Sequence, residues 1–174
     1  GHGTTNLDSV PEFYLISHDV TRVFGTDSDL KTKGLSGTVL REFSEKIKAR
    51  KQLFIIDACQ SGAIVDVLSR RGFERDKAIA QLARSTGTFW IVASESEQYA
   101  LEVNQLGHGL FTYAILQGLD GKAEGKSNDK KITVKELNAF INDFVPEFSK
   151  ELRGTAQYPT GFGYGQDFPL ILIK

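Results

Sequence analysis

Two nearly continuous apolar runs, Leu53-Phe54-Ile55-Ile56 and Phe89-Trp90-Ile91-Val92-Ala93, constrain this chain more than any other feature. A strand with one wet face alternates apolar and polar residues, whereas an unbroken run suits burial on both faces, the habit of parallel strands. Helical spacing appears between and after these runs. Val39, Leu40, Phe43 and Ile47 recur at helical intervals behind Ser36 or Thr38, either of which can cap the first turn. Ala78, Ile79, Leu82 and Ala83 predict a helix near 74–84, and Phe111, Ala114, Ile115, Gly118 and Leu119 the inward side of one near 108–119. A longer stripe of Val134, Leu137, Ile141, Phe144, Val145 and Phe148 predicts a helix that Pro146 kinks or resets. Short strands are expected at 12–17 and, with Pro169 near its start, at 168–173. Residues 18–35, 121–131 and the Gly/Tyr-rich 154–165 read as loops, and 64–73 as irregular. Strands alternating with helices predict an α/β protein, a three-layer α/β/α sandwich with a mostly parallel sheet. With no repeat and no long linker, residues 1–174 are expected to form one domain.

Composition narrows the function classes. Lysine and arginine (21) balance aspartate and glutamate (22) and intersperse with them, so no basic stripe offers a nucleic-acid footprint. No apolar run approaches the roughly 20 residues of a membrane span, and no secretory signal pattern is visible. A single cysteine rules out an intrachain disulfide and suits a reducing compartment, so a cytoplasmic location is expected. The opening Gly1-His2-Gly3 reads as the continuation of a longer polypeptide or as the second piece of a processed one.

That cysteine, Cys59, stands just past the first apolar run in Asp57-Ala58-Cys59-Gln60-Ser61-Gly62. Open α/β sheets place their chemistry there, outside the carboxyl ends of the strands. The plain alternative is a small buried hydrophobe, although such a residue fits more naturally inside the run. A thiol of ordinary pKa, about 8.5, is only a few per cent thiolate at neutral pH and needs a base that later protonates the leaving amine. Three histidines compete for that role. His18 sits in a loop before Asp19, His108 opens an apparent helix, and His2 is flanked by glycines that let the backbone approach a substrate closely.

Gly1-His2-Gly3 and Asp57-Ala58-Cys59-Gln60-Ser61-Gly62 resemble the histidine and cysteine motifs of caspase-like cysteine peptidases, with the closest match to the metacaspase and bacterial caspase-domain branch. The likeness extends through Tyr14-Leu15-Ile16 with His18-Asp19, through Ala93-Ser94 with Gln98-Tyr99-Ala100-Leu101-Glu102, and through Gly107-His108-Gly109-Leu110-Phe111-Thr112-Tyr113-Ala114. It implies a His2/Cys59 dyad, an acyl-enzyme, and an oxyanion hole built from the N–H groups of Gly3 and Cys59. Caspases that cut after aspartate carry glutamine where this chain has Asp57, and metacaspases, which cut after arginine or lysine, carry aspartate. A carboxylate two residues before the nucleophile shares its face of an extended segment, so Asp57 is expected to pair with a basic side chain in the first specificity pocket. The plain alternative is that Asp57 caps the cysteine turn. Ser94, Glu95 and Glu97 are further candidates to line that pocket, or are simply solvated. The substrate is expected to be a protein or peptide that adds as a short strand beside this region.

The resemblance also predicts a missing part, because the family's sheet contains strands before the histidine. A companion chain or an additional segment is therefore expected to cover the edge at 53–57. Arg70-Arg71, Arg75 and Lys77 are either a self-processing segment or a solvated basic face. Residues 128–136 resemble an EF-hand ending, but Gly125 falls at the first ligand position and Lys130 where glycine is needed. A capped helix start is expected instead, with no metal and no cofactor. Asp27 and Asp29 are too few to carry over the calcium cluster of some metacaspases. Two rival functions remain open at this level: an inactive signalling scaffold, and another thiol acyl-transfer enzyme such as an amidase.

Overall fold

The computed structural model describes residues 2–6, 12–23, 29–58, 87–93, 102–103, 108–126 and 128–173. Its centre is the second apolar run. Strand β5 (Gly87–Val92) is buried along its whole length. It pairs parallel with β4 (Lys51–Ile56) on one side and antiparallel with β9 (Thr160–Gly165) on the other. Period-2 alternation sends its side chains into two separate cores. Phe89 and Ile91, with Ala93 just beyond, enter a large cluster containing Leu110, Phe111, Ala114, Leu137 and Ile141. Trp90 and Val92 enter a smaller one with Phe13, Ile56 and Ala58, where Phe54 stacks on Trp90 with ring centroids 4.1 Å apart.

The large cluster is the helical layer. It is formed by α3 (Leu110–Gln117) and α4 (Val134–Arg153). Helix α4 buries Val134, Leu137, Ile141 and Val145, and Phe140, Phe144 and Phe148 stack along its flank with successive centroids 5.3 and 5.2 Å apart. Each fully buried aliphatic side chain contributes about 1.5–3 kcal/mol by transfer, so this one stripe goes far towards fixing the layer. A capping box starts the helix: Thr133 accepts the Glu136 amide at 3.2 Å and Glu136 accepts the Thr133 amide at 2.9 Å. Gly154 ends it in the left-handed region at φ 72°. Pro146 was expected to kink or reset the helix; α4 is not reset there and runs through it as one element.

The opposite layer is built by β1 (Gly3–Thr5), β2 (Phe13–Leu15) and β3 (Leu35–Ser36), a small antiparallel sheet, with α2 (Gly37–Lys46) behind it. Ser36 caps α2 by accepting the Val39 amide at 3.2 Å, as expected. The three layers and the α/β class agree with the sequence, while the central sheet is small and mixed, with β4–β5 the one parallel pair among the described residues. Two further antiparallel pairs complete the architecture: β6 (Glu102–Val103) with β7 (His108–Gly109), and β8 (Lys131–Thr133) with β10 (Pro169–Leu172).

Four expectations need correction. The Gly/Tyr-rich segment is not all loop, because Thr160–Gly165 is the full-length partner of β5. Its glycines are there for contact: a Cβ at Gly163 would lie 2.3 Å from the Phe89 ring, and one at Gly161 would collide with Asn138. Residues 18–35 include a short helix, α1 (Leu30–Lys33), anchored by buried Leu30. Strand β4 is not covered on both faces, since Ile55 is 43% exposed. On α2, Leu40 packs on the small core, but Val39, Phe43 and Ile47 face solvent. The helix expected near 74–84 and the irregular 64–73 lie outside the described residues. No helix among the described residues is long and apolar enough to cross a membrane.

Candidate active site

The carboxyl ends of β4 and β5 lie side by side, and the ladder continues one residue further, with the Ala93 amide donating to the Ile56 carbonyl at 3.0 Å. Each strand end is pinned from the helical layer by a polar side chain. Asp57 follows β4 directly and is half-buried, and its Oδ2 accepts a short hydrogen bond from the Thr112 hydroxyl in the first turn of α3. Ala58, the next residue, is buried in the small core. At the end of β5, the Ala93 carbonyl accepts from Nε2 of buried Gln157. The Gln157 amide donates to Ser149 Oγ at 2.7 Å, and that hydroxyl donates to the Pro146 carbonyl at 3.1 Å. A polar group buried without such a partner costs about 1–3 kcal/mol, so this chain of bonds holds the strand end in one place.

His2 and Gly3 arrive on the other layer. His2 is exposed and immediately precedes β1, and its carbonyl accepts the Ile16 amide at 3.0 Å. In an antiparallel pair, hydrogen-bonded and non-hydrogen-bonded residue pairs alternate. The bonds from Ile16 to His2 and from Asn6 to Glu12 (3.0 Å) set the phase, so Gly3, opposite Leu15, is a non-bonded pair. Its N–H therefore points away from β2, to the side of β1 where the described residues place no further strand. The same hairpin inserts Phe13, fully buried, between β2 and the cluster of Ile56, Ala58, Trp90 and Val92, with Leu15 packed alongside. One apolar cluster thus joins the hairpin bearing His2 and Gly3 to the strand end bearing Asp57. Cys59, Ser94, Glu95 and Glu97 lie outside the described residues, as do Arg70, Arg71, Arg75 and Lys77.

The other histidines are placed differently. His18 is exposed in a turn where Ser17 Oγ donates to Asp19 at 2.6 Å, the loop role expected of it. His108 belongs to β7 rather than opening α3. Among the described residues, no group of three or more His, Cys, Asp or Glu could hold a metal ion. In the segment resembling an EF-hand, the carboxylates are taken by the backbone: Glu136 also accepts the Gly125 amide at 3.3 Å, and Glu124 accepts the Lys130 amide at 2.6 Å. Asp29 is likewise occupied, bonded to Lys33 at 2.7 Å and to the Arg22 amide at 3.0 Å. The Lys33 hydrogen bond, followed by the backbone amides of Arg22 and Thr21, holds its carboxyl well below the usual range.

Sequence reasoning missed Thr112 and Gln157. Thr112 carried a readable signal, a hydroxyl set among Leu110, Phe111 and Ala114 on a largely apolar helix start. Gln157 carried none, because it lay in the segment taken for loop.

The family model for the caspase domain matches residues 1–162, so it spans the hairpin, the strand end with Asp57, α3, α4 and the first half of β9. The chain belongs to the caspase-domain family. No curated protein matches it significantly. Membership makes this a domain of a cysteine-peptidase family, and its α/β class and three layers accord with that. Of the expected site, the described residues are exposed His2, the strand-end carboxylate of Asp57, which the Thr112 hydroxyl holds, and the Gly3 amide directed away from β2.

Proposed function

We propose that this caspase domain is an endopeptidase of the metacaspase and bacterial branch that cuts after arginine or lysine, with His2 and Cys59 as its dyad. The observation that carries the reading is Asp57, a half-buried carboxylate at the carboxyl end of a parallel strand, two residues before the thiol. In the reaction, His2 takes the Cys59 proton and the sulfur attacks the scissile carbonyl. The oxyanion is held by the amides of Gly3 and Cys59. The imidazolium then protonates the departing amine, and water, deprotonated by His2, hydrolyses the thioester. The outward direction of the Gly3 N–H supports its part, since a donor of this kind is worth about 2.7–4 kcal/mol when aimed at developing charge.

Asp57 attracts a guanidinium or ammonium at the residue before the cut and repels a carboxylate there. Ser94 and Glu95 belong to the same pocket in this reading. A cytoplasmic setting suits it, because a lone nucleophilic thiol works only while reduced. The exposed stripe of Val39, Phe43 and Ile47 and the exposed Ile55 support a further polypeptide segment, in the same chain or a companion, lying over α2 and along β4.

Fluorogenic peptides that vary only the residue before the cut test the whole reading. Turnover is expected after Arg and Lys, and the Cys59→Ala and His2→Ala proteins should each lose at least about 10³-fold of it. Preference for aspartate would overturn the role of Asp57. No turnover, together with no Cys59-dependent labelling by an arginyl ketone, would identify a scaffold instead.

A further inference from the structure

We propose that Thr112 is the positioning residue for basic-side-chain recognition, orienting the Asp57 carboxylate through its hydroxyl. The inference rests on the reading of Asp57 given above and extends it to a residue that does not itself contact substrate. A terminal carboxylate torsion is broad and roughly two-fold, so an aspartate at a strand end has no intrinsic reason to keep one plane. Bidentate pairing with a guanidinium requires that plane to be held, because both oxygens must meet the fork together. Thr112 supplies one such restraint. Its hydroxyl donates to Oδ2 of Asp57 and occupies one of the roughly four lone-pair positions that a carboxylate offers.

The hydroxyl is itself fixed. Threonine is stiff about χ1, and α3 is locked into the core by Leu110, Phe111 and Ala114, each with almost no exposed surface. Thr112 thus passes the position of the helical layer to the end of β4. A lysine ammonium makes a point contact and tolerates rotation of its partner, whereas arginine's planar fork does not. Losing the hydroxyl should therefore penalise arginine more than lysine.

The test compares Thr112→Val, which keeps shape and removes the donor, with Thr112→Ser, which keeps the donor. Each is assayed on matched Arg and Lys peptides, and by calorimetry of the same Arg peptide binding to a Cys59→Ala background. Thr112→Val should lower kcat/KM for Arg roughly ten-fold or more, mainly through KM, and Lys clearly less. The Arg/Lys ratio then falls while the melting temperature changes little, and Thr112→Ser restores the ratio. An unchanged ratio in Thr112→Val, or equal losses on both peptides that Thr112→Ser does not rescue, overturns the proposal and leaves Thr112 a structural tie. Asp57→Asn separates the two levels. If it binds the Arg peptide as well as the parent does, the specificity reading fails and takes this inference with it. If Asp57→Asn weakens binding and Thr112→Val does not, the positioning role alone fails.

Discussion

Asp29 gathers Lys33 at 2.7 Å, the Arg22 amide at 3.0 Å, and the Thr21 amide and hydroxyl at 3.3 and 3.2 Å, and so ties both ends of the segment that leads into α1. Its carboxyl is held well below the usual range, so its folded-state pKa lies under its unfolded one. The tie is present above the ordinary carboxylate pKa, about 3.9, and is lost as pH falls towards the depressed value. Lys33 is shifted upward, first by that same hydrogen bond, so its share persists at neutral pH and is lost only in strong alkali. Protection of the amides at 21–22 and 29–33 against hydrogen exchange should therefore weaken in strong acid. Asp29→Asn should lower it at pH 7 but make little difference in strong acid, where the carboxyl is protonated in both proteins. At this scale the strand-end place of Asp57 was legible in the sequence, because the apolar run stops there. Thr112 could not be paired with it in advance, since a sequence separation of 55 is bridged by tertiary packing alone.

Elements with strong local chemistry were readable, and those that depend on a neighbour were not. Thr133 and Glu136 announce the start of α4 by spacing, and Ser36 does the same for α2. Thr133→Ala should cost about 1 kcal/mol, seen as a lower midpoint in urea with unchanged slope, because the Glu136 amide loses its acceptor. Strand β9 was read as loop because glycine at 161, 163 and 165 looks like turn chemistry. Its alternation with Phe162 and Tyr164 was in fact period-2 strand patterning, with the glycines making room for Asn138 and Phe89. Pro146 was expected to kink or reset the helix, but α4 runs through it: Leu137, Ile141 and Val145 before the proline and Ser149 after it are all buried, and that packing outweighs a lost hydrogen bond.

For the molecule as a whole, the layer order followed from the alternation of strand and helix patterns, while the covering of each layer did not. Val39 and Phe43 (55% exposed) on α2, and Ile47 just past its end, face solvent at i, i+4 and i+8, a spacing that equally fits an inward stripe. Periodicity reports that a face is apolar, not what lies over it. If a further segment covers this face, Phe43→Glu with Ile47→Lys should release that segment, seen as increased proteolysis of a longer chain or loss of co-purification of a companion. The caspase domain itself should keep its helical circular dichroism. Unchanged association would mean that the stripe is simply wet.

The hairpin and the strand end meet through the ring of Phe13, packed on Ile56 and Ala58. The spacing between the hairpin and the strand end is thus gauged by oily contact, a force that slackens on cooling. A peptidase calibrated in this way would lose its aim in the cold while its outline stayed intact.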